Sequence, residues 1–556
     1  MRRRSKNLKL ERSCGVVRFL IYVLPLALFF SYHPVISLGV GESMNFELSV
    51  PLIWLVMFDA VGVVVLIREG IFGKIAKKWK WWWLAFVAAP GFVTVSLLWS
   101  MNLVRGVLTC GVMWLILIAC GVMVGLRGWF SAEEFRRKFC RWFFGAALFA
   151  CAWCVIQCVL DVAGVSREYS LMCLGCISYS FGFPHPNGFA IEPQFMGNLL
   201  LAPAVVAAWL YTKKQNSRKL GLERSRGDNF YNGSVGAHTK LQFRDSLRDR
   251  CKNYAGSCSL GPNFLLFCFF IITFTLFLTL SRGAIYAFVM GLVFMSAFVV
   301  VKWKKKWRLV MKSVGIVWGM AVLGFLCALN AQGIMAQVGP TNDTYIDGVA
   351  KVLNQLSLGI IDIRGKGEVV DNMSGEGVKE AQSVSVSEET TGEGSVDVGD
   401  ADVAVVEKPV ENSEDEAKVE AVFDGYVAES TNVRMELNRN ALAVWARDFK
   451  TMMLGVGIGG AGEAMYQAGL TGSPKEIVQN EYVSLLLEVG VVGVSLLVLM
   501  LVMVVRVVLK SGGAGVGMVL TLMVAYGVSL LFFSGFANAL QIYLLPMVLL
   551  GVGKSF

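Results

Sequence analysis

FLLFCFFIITFTLFLTL, then SRGA, then IYAFVMGLVFMSAFVVV: residues Phe264–Val301 are two apolar runs joined by Ser281-Arg282-Gly283-Ala284. Each run approaches the length of about 20 helical residues that crosses a hydrocarbon layer of roughly 30 Å. The stretch therefore reads as a transmembrane hairpin with one cation at its tip. An arginine at bilayer depth costs about 2.5–3.5 kcal/mol on insertion scales, so such residues tend to have a task. The other reading is a guanidinium that snorkels to the headgroups. The hairpin alone leaves both open.

The composition extends the membrane reading to the whole chain. Of 556 residues, 55% are hydrophobic and 17% charged, and mean hydropathy is +0.59. A soluble domain carries about 25% charged residues. The thirteen cysteines are scattered. Cys151–Cys154 and Cys173–Cys176 have C-x-x-C spacing, but no further Cys or His cluster accompanies them, so neither zinc nor thioredoxin chemistry is expected. No metal site and no cofactor is expected.

Read in order, the chain alternates apolar runs with charged links. A basic start, Arg2 to Arg12, precedes a first helix over 16–36 and a short acidic link with Glu42 and Glu47. Further helices are expected over 48–67, 81–100, 103–126, 142–162 and 189–211, then the two arms of the Arg282 hairpin, then 313–331, 482–505, 514–533 and 537–552. The expected fold is all-α and polytopic, with about twelve transmembrane helices. Its largest extracytoplasmic loop precedes helix ten. The strongly basic links (68–80, 127–141, 212–262 and 302–308) all fall on the cytoplasmic side, as the positive-inside rule requires. These charges read as topology and lipid attraction rather than nucleic-acid binding, because no aromatic–basic module accompanies them. Three regions follow: 1–332 with helices one to nine, an extracytoplasmic loop over 333–480, and 481–556 with helices ten to twelve. Within the loop, 367–429 is acidic, nearly free of aromatics, and reads as disordered.

Several motifs in fixed order resemble the O-antigen ligase and O-antigen polymerase family of membrane glycosyltransferases. They are Leu97–Asn102 (LLWSMN), Leu280–Ala287 (LSRGAIYA), Arg434 with an amphipathic helix, Leu454–Gly459 (LGVGIG) and Gln479–Gly493 (QNEYVSLLLEVGVVG). The resemblance implies transfer of a glycan from an undecaprenyl-pyrophosphate carrier to a glycan, lipid or protein acceptor, without an obligatory metal. It places the reaction at the outer face of a bacterial cytoplasmic membrane. By the same resemblance Arg282 and Arg434 handle the pyrophosphate. Guanidinium suits that role, since its planar fork stays charged and binds phosphate oxygens in pairs. Arg105 and Arg439 are further candidates; for Arg439 a solvated helix face serves equally well.

The family's His-Asn-x-Tyr is here Gln479-Asn480-Glu481-Tyr482. Glutamine orients a hydroxyl but takes no proton at neutral pH. Either base catalysis is dispensable or another residue supplies it; Glu481, His185 and Glu192 are the candidates, each with a structural reading beside it. Glu488 and Asp59, in apolar runs, are candidate partners for the arginines. Gly455-Val456-Gly457-Ile458-Gly459-Gly460 satisfies G-x-G-x-x-G, yet no strand–helix–strand unit surrounds it, so it reads as a tight turn rather than a dinucleotide site. A nest of its N–H groups facing pyrophosphate is a secondary possibility. The expected function is polymerisation or ligation of lipid-linked saccharides for the cell surface. The alternative is a transporter, such as a flippase for lipid-linked sugars.

Overall fold

A computed structural model describes residues 2–31, 35–40, 44–70, 80–126, 130, 133–163, 185–190, 192–231, 260–303, 307–339, 344–357, 432–510, 515–533 and 539–552. The acidic stretch 367–429, most of the basic link 212–262, and Cys173 and Cys176 lie outside them.

The apolar stretches fold as helices, because within lipid a backbone must satisfy its own hydrogen bonds. In chain order these are α1 (Arg2–Phe29), α2 (Val50–Arg68), α3 (Lys80–Val95), α4 (Leu103–Gly125), α5 (Glu133–Val162), α6 (Pro193–Tyr231), α7 (Pro262–Leu278), α8 (Arg282–Lys302) and α9 (Trp307–Val338). After α10 (Tyr345–Leu356) come α11 (432–445), α12 (Phe449–Leu454), α13 (Ala461–Gln467), α14 (Glu481–Lys510), α15 (Val516–Ser529) and α16 (Leu540–Val552). Prolines open α2, α6 and α7, where a missing N–H costs nothing. Among the described residues seven helices are long and apolar enough to cross a membrane, and five apolar helices are shorter. One of the latter, α7, has 17 residues and so spans about 25 Å.

Two sequence expectations need correction. The first helix ends at Phe29, not at residue 36. The acidic link after it is an antiparallel hairpin, β1 (Val35–Val40) paired with β2 (Met44–Ser49), with Val35 opposite Ser49. Val35, Ile36, Leu38 and Val40 favour a pleated strand, so the fold is helical with one small hairpin rather than purely α.

Helix α6 is the axis of the bundle. Residues 194–212 of α6 are all buried, whereas only 12% of the most apolar window of α14 is. It packs on α7, α8, α9 and α15. Small residues let backbones approach there: a Cβ on Gly197 would lie 2.6 Å from that of Ala284 on α8. Such small-residue contacts are how helices associate in lipid, where apolar surface alone gives no preference.

The region 333–480 is not a bare loop. Helix α9 runs on to Val338. Thr344 and Asp347 form a capping box for α10, whose Gly348, Lys351, Val352 and Gln355 are buried at helical spacing. Helices α11 to α13 follow, and all of these meet the bundle at one end.

Candidate functional site

The Arg282 turn joins α7 to α8. Leu280 there has φ 48° and is the one non-glycine residue with positive φ among those described. That conformation costs roughly 1–2 kcal/mol for a side-chain-bearing residue. Packing holds it: Leu280 is buried against Val352 and Leu356 of α10 and Leu329 of α9. Ser281 then caps α8, its hydroxyl accepting from the Ala284 N–H at 3.4 Å. Arg282 is the first residue of α8 and is partly buried. Gly283 has no room for a side chain, since a Cβ would lie 2.8 Å from both the Gln194 amide nitrogen and the Phe532 Cβ. The Tyr286 hydroxyl donates to the Leu356 carbonyl at 2.5 Å and fastens α10 alongside.

Facing this turn is the segment before α6. Gln157 of α5 clamps it, accepting from the Gly188 N–H at 2.8 Å and donating to the Gly188 carbonyl at 2.9 Å. His185 is buried there. Burial, with the nearby Arg282 charge, pushes its ring pKa down to about 3, so the imidazole is neutral at pH 7. Glu192 stands at the other end of the segment. Burial raises its carboxyl pKa, and the Arg434 guanidinium opposes that rise.

Arg434 arrives on α11. Leu437, Ala441 and Val444 are the buried stripe of that helix, and Arg434, three residues before Leu437, continues the stripe while staying partly exposed. Arg439 lies about 200° round the helix from Leu437 and is exposed. Arg282 and Arg434 thus come, from helices far apart in sequence, to the two ends of one segment, 185–192. Neither Arg434 nor Arg105 has an ion-pair partner among the described residues.

In the stretch 479–482 the four side chains divide. The Asn480 side chain caps α14, accepting from the N–H groups of Tyr482 at 3.0 Å and Val483 at 3.3 Å. The Tyr482 hydroxyl donates to the Gly527 carbonyl at 2.7 Å. Glu481 is 4% exposed, and its N–H donates to the carbonyls of Leu530 at 3.0 Å and Phe533 at 3.2 Å. Gln479 is partly buried, and its side chain has no hydrogen-bond partner among the described residues. The turn 530–533 therefore ties three parts of the site together. Its Phe532 carbonyl accepts from Gln194 at 3.0 Å, its Phe532 side chain abuts Gly283, and its carbonyls seat Glu481.

The glycine string lies further along α14. The Val456 and Gly457 N–H groups donate to the Leu487 and Glu488 carbonyls, both at 2.9 Å. The Ile458 N–H donates to Ser96 Oγ at 3.2 Å, and Ser100 Oγ donates to the Ile458 carbonyl at 2.8 Å. The turn is a clasp joining α14 to the short 3-10 helix Ser96–Trp99 and the start of α4. Arg105 lies one turn into that start, beside Gly459, and its charge reaches Glu488. Glu488 thus has the arginine neighbour expected of it. Asp59, on α2 near Cys120 of α4, has none among the described residues, and neither of its oxygens is hydrogen-bonded among them.

A model of the O-antigen ligase family matches residues 267–498. That stretch is an O-antigen ligase domain. No curated protein and no solved structure matches the chain. The O-antigen ligase domain contains the Arg282 turn, Arg434, the 479–482 stretch, the clasp and Glu488, while Arg105, His185 and Glu192 come from outside it. The family is one of enzymes acting on lipid-linked glycans in a membrane. A membrane glycosyltransferase-like role in polysaccharide assembly follows for this multi-pass protein.

Two side chains near the site escaped the sequence reading. Lys351, 2% exposed, lies on the buried stripe of α10, and the Thr344-x-x-Asp347 capping signature was the available sign of that helix. Gln157 had no local signal, because its partners lie about thirty residues away.

Proposed function

We propose that the protein transfers or polymerises saccharides from an undecaprenyl-pyrophosphate donor. The reaction takes place at the extracytoplasmic face of the bacterial cytoplasmic membrane, in a fold of about twelve spans. The observation that carries the reading is the approach of Arg282 and Arg434 to the single segment 185–192. Guanidinium groups bordering one segment would suit a diphosphate, whose negative charge grows as the bond to the sugar breaks. They supply the neutralisation that a divalent cation provides in other phosphate chemistry.

The acceptor hydroxyl oxygen attacks the anomeric carbon as that carbon's bond to the diphosphate oxygen breaks. The hydroxyl proton passes to a carboxylate, and the lipid diphosphate leaves. One displacement inverts the anomeric centre. Gln479, its amide without a hydrogen-bond partner among the described residues, orients the acceptor. Glu192 takes the proton: it is partly exposed, its pKa is raised by burial, and a carboxylate poised nearer neutrality is the better base. Glu481 contributes negative charge from behind rather than touching the acceptor, being almost wholly buried. Positive-inside counting supports an extracytoplasmic position for this end of the bundle.

The test is transfer in proteoliposomes with donor and acceptor supplied on one side. Arg282→Ala and Arg434→Ala are expected to abolish product while leaving thermal unfolding unchanged. Full glycan assembly by both variants removes the assigned roles. Movement of donor across the bilayer without product would favour the transporter reading instead.

A further inference from the structure

We propose that the corner between α11 and α12 is a lipid-surface anchor: Met435, Leu442 and Phe449 enter the face of an anionic phospholipid bilayer, with Arg439 and Lys450 against its phosphates.

A helix that packs one apolar stripe on a protein turns a polar back to water. Helix α11 does not. Leu437, Ala441 and Val444 are its buried stripe. Met435 and Leu442, seven residues apart and so on one line, lie about 150° round from that stripe. They are 57% and 40% exposed, and Phe449, the first residue of α12, is 78% exposed. The corner is held in shape by hydrogen bonds. Trp445 Nε1 donates to the Met452 carbonyl at 3.1 Å. The Asp448 carboxylate accepts from the Thr451 N–H and from its hydroxyl, both at 2.8 Å. Large apolar side chains fixed in this exposed position call for an apolar cover.

The depth of the corner says what the cover is. The end of α12 lies on α14: a Cβ on Gly490 would meet the Met453 carbonyl oxygen at 2.4 Å, and one on Gly455 the Glu488 carbonyl oxygen at 2.3 Å. The uncharged stretch of α14 runs from Val489 to Val505, between Glu488 and Arg506, and is about 25 Å long. That nearly matches the roughly 30 Å of a hydrocarbon layer. Contact at 488–490 therefore sets the end of α12 at one edge of the layer, the edge away from Arg506. Phe449 is only about 6 Å along α12 from Met453. Headgroups, and the acyl chains beneath them, are what lies against a side chain at that level.

Charge points the same way. Over 432–454 the cations are Arg434, Arg439, Arg447 and Lys450, and the anions are Glu436 and Asp448. Arg447 lies 3.8 Å from Asp448, while Arg439 and Lys450 are exposed. A basic border beside an apolar face is the pattern of helices that lie on anionic lipid. Arg434 stands about 60° round from Leu437, between the buried stripe and the exposed line. The anchor holds whatever reaction the protein performs. On the diphosphate reading, it keeps Arg434 at the depth of lipid phosphates.

The test is photo-crosslinking of the full-length protein in vesicles of phosphatidylglycerol and phosphatidylethanolamine. The photoreactive residue p-benzoylphenylalanine replaces Met435, Leu442 or Phe449, or else Glu436 or Ala443, which are exposed on the other side of α11. Mass spectrometry reads the adducts. Phospholipid adducts are expected at Met435, Leu442 and Phe449, and not at Glu436 or Ala443. The yield at Phe449 is expected to fall several-fold in vesicles of phosphatidylcholine alone. It is expected to fall likewise with Arg439→Gln/Lys450→Gln, since each cation near an anionic surface is worth roughly five-fold. Equal yields at all five positions overturn the proposal. So do adducts to a second copy, or to another part of the chain, in place of lipid. A yield indifferent both to phosphatidylglycerol and to the two cations also overturns it.

Discussion

The Arg282 turn and the glycine clasp are built on opposite principles. The turn delivers a side chain. A buried, strained leucine and a serine cap fix where α8 begins, and the arginine follows as its first residue. The clasp delivers no side chain to the site. Its glycines at φ 73°, 90° and 79° let backbone lie on backbone, and its hydrogen-bonding groups are consumed within the protein. Recognition chemistry needs a projecting group held by packing, whereas assembly of distant helices needs close approach. The clasp is therefore expected to be sensitive to any added carbon, and the turn to changes of charge.

The largest expected effect comes from comparing Gly457→Ala with Gly469→Ala. Both sites have positive φ, but a Cβ on Gly457 would lie 2.3 Å from the Ser100 Cα, and Gly469 has open space around it. Gly469→Ala should cost about 1 kcal/mol, the backbone term alone. Gly457→Ala should cost several-fold more, read as a lower unfolding temperature in detergent. Equal costs would break the account of the clasp.

On the turn, Arg282→Lys keeps the charge and loses the fork. It should lower kcat/KM about 10²- to 10³-fold, the usual effect of removing one preorganised donor, with unfolding unchanged. A drop in stability instead would make Arg282 structural.

His185 links the turn to pH. Its folded-state pKa, about 3, lies below the ordinary 6.5. The stabilisation from keeping the ring neutral is full above 6.5 and is lost progressively as pH falls from there toward 3. Unfolding temperature should therefore decline below pH 6.5, and His185→Asn should flatten that decline. The smallest effect is expected from Tyr482→Phe, which removes the bond to Gly527 and should cost about 1 kcal/mol with little change in transfer.

Much of this was legible in the sequence, for a physical reason. Apolar runs of helical length have few alternatives in lipid, so the bundle and the position of Arg282 between α7 and α8 could be read directly. Arg434 was legible through the family resemblance, and the spacing of Leu437, Ala441 and Val444 gave its helix. What was hidden depended on contacts across the chain. The G-x-G-x-x-G string looked like a turn, but its service as a clasp needs Ser96, Ser100 and Glu488. The turn 530–533 carries no motif, since its carbonyls rather than its side chains do the joining. The β hairpin after Phe29 was hidden because Val35 and Ile36 prolong the apolar run of the first helix, and the pairing of β1 with β2 is a contact between two stretches rather than a local pattern. Asn480 and Tyr482 resemble substrate ligands in a motif, yet their hydrogen bonds go to the protein's own backbone.

The central claim is that Arg282 and Arg434 grip one diphosphate together. The direct measurement is a double-mutant cycle on kcat/KM for the lipid-diphosphate donor, using Arg282→Ala, Arg434→Ala and the pair. Two groups serving one leaving group should be strongly non-additive, so that the pair loses little more than the worse single variant. Independent, additive losses, or a wild-type rate in either single variant, would contradict it.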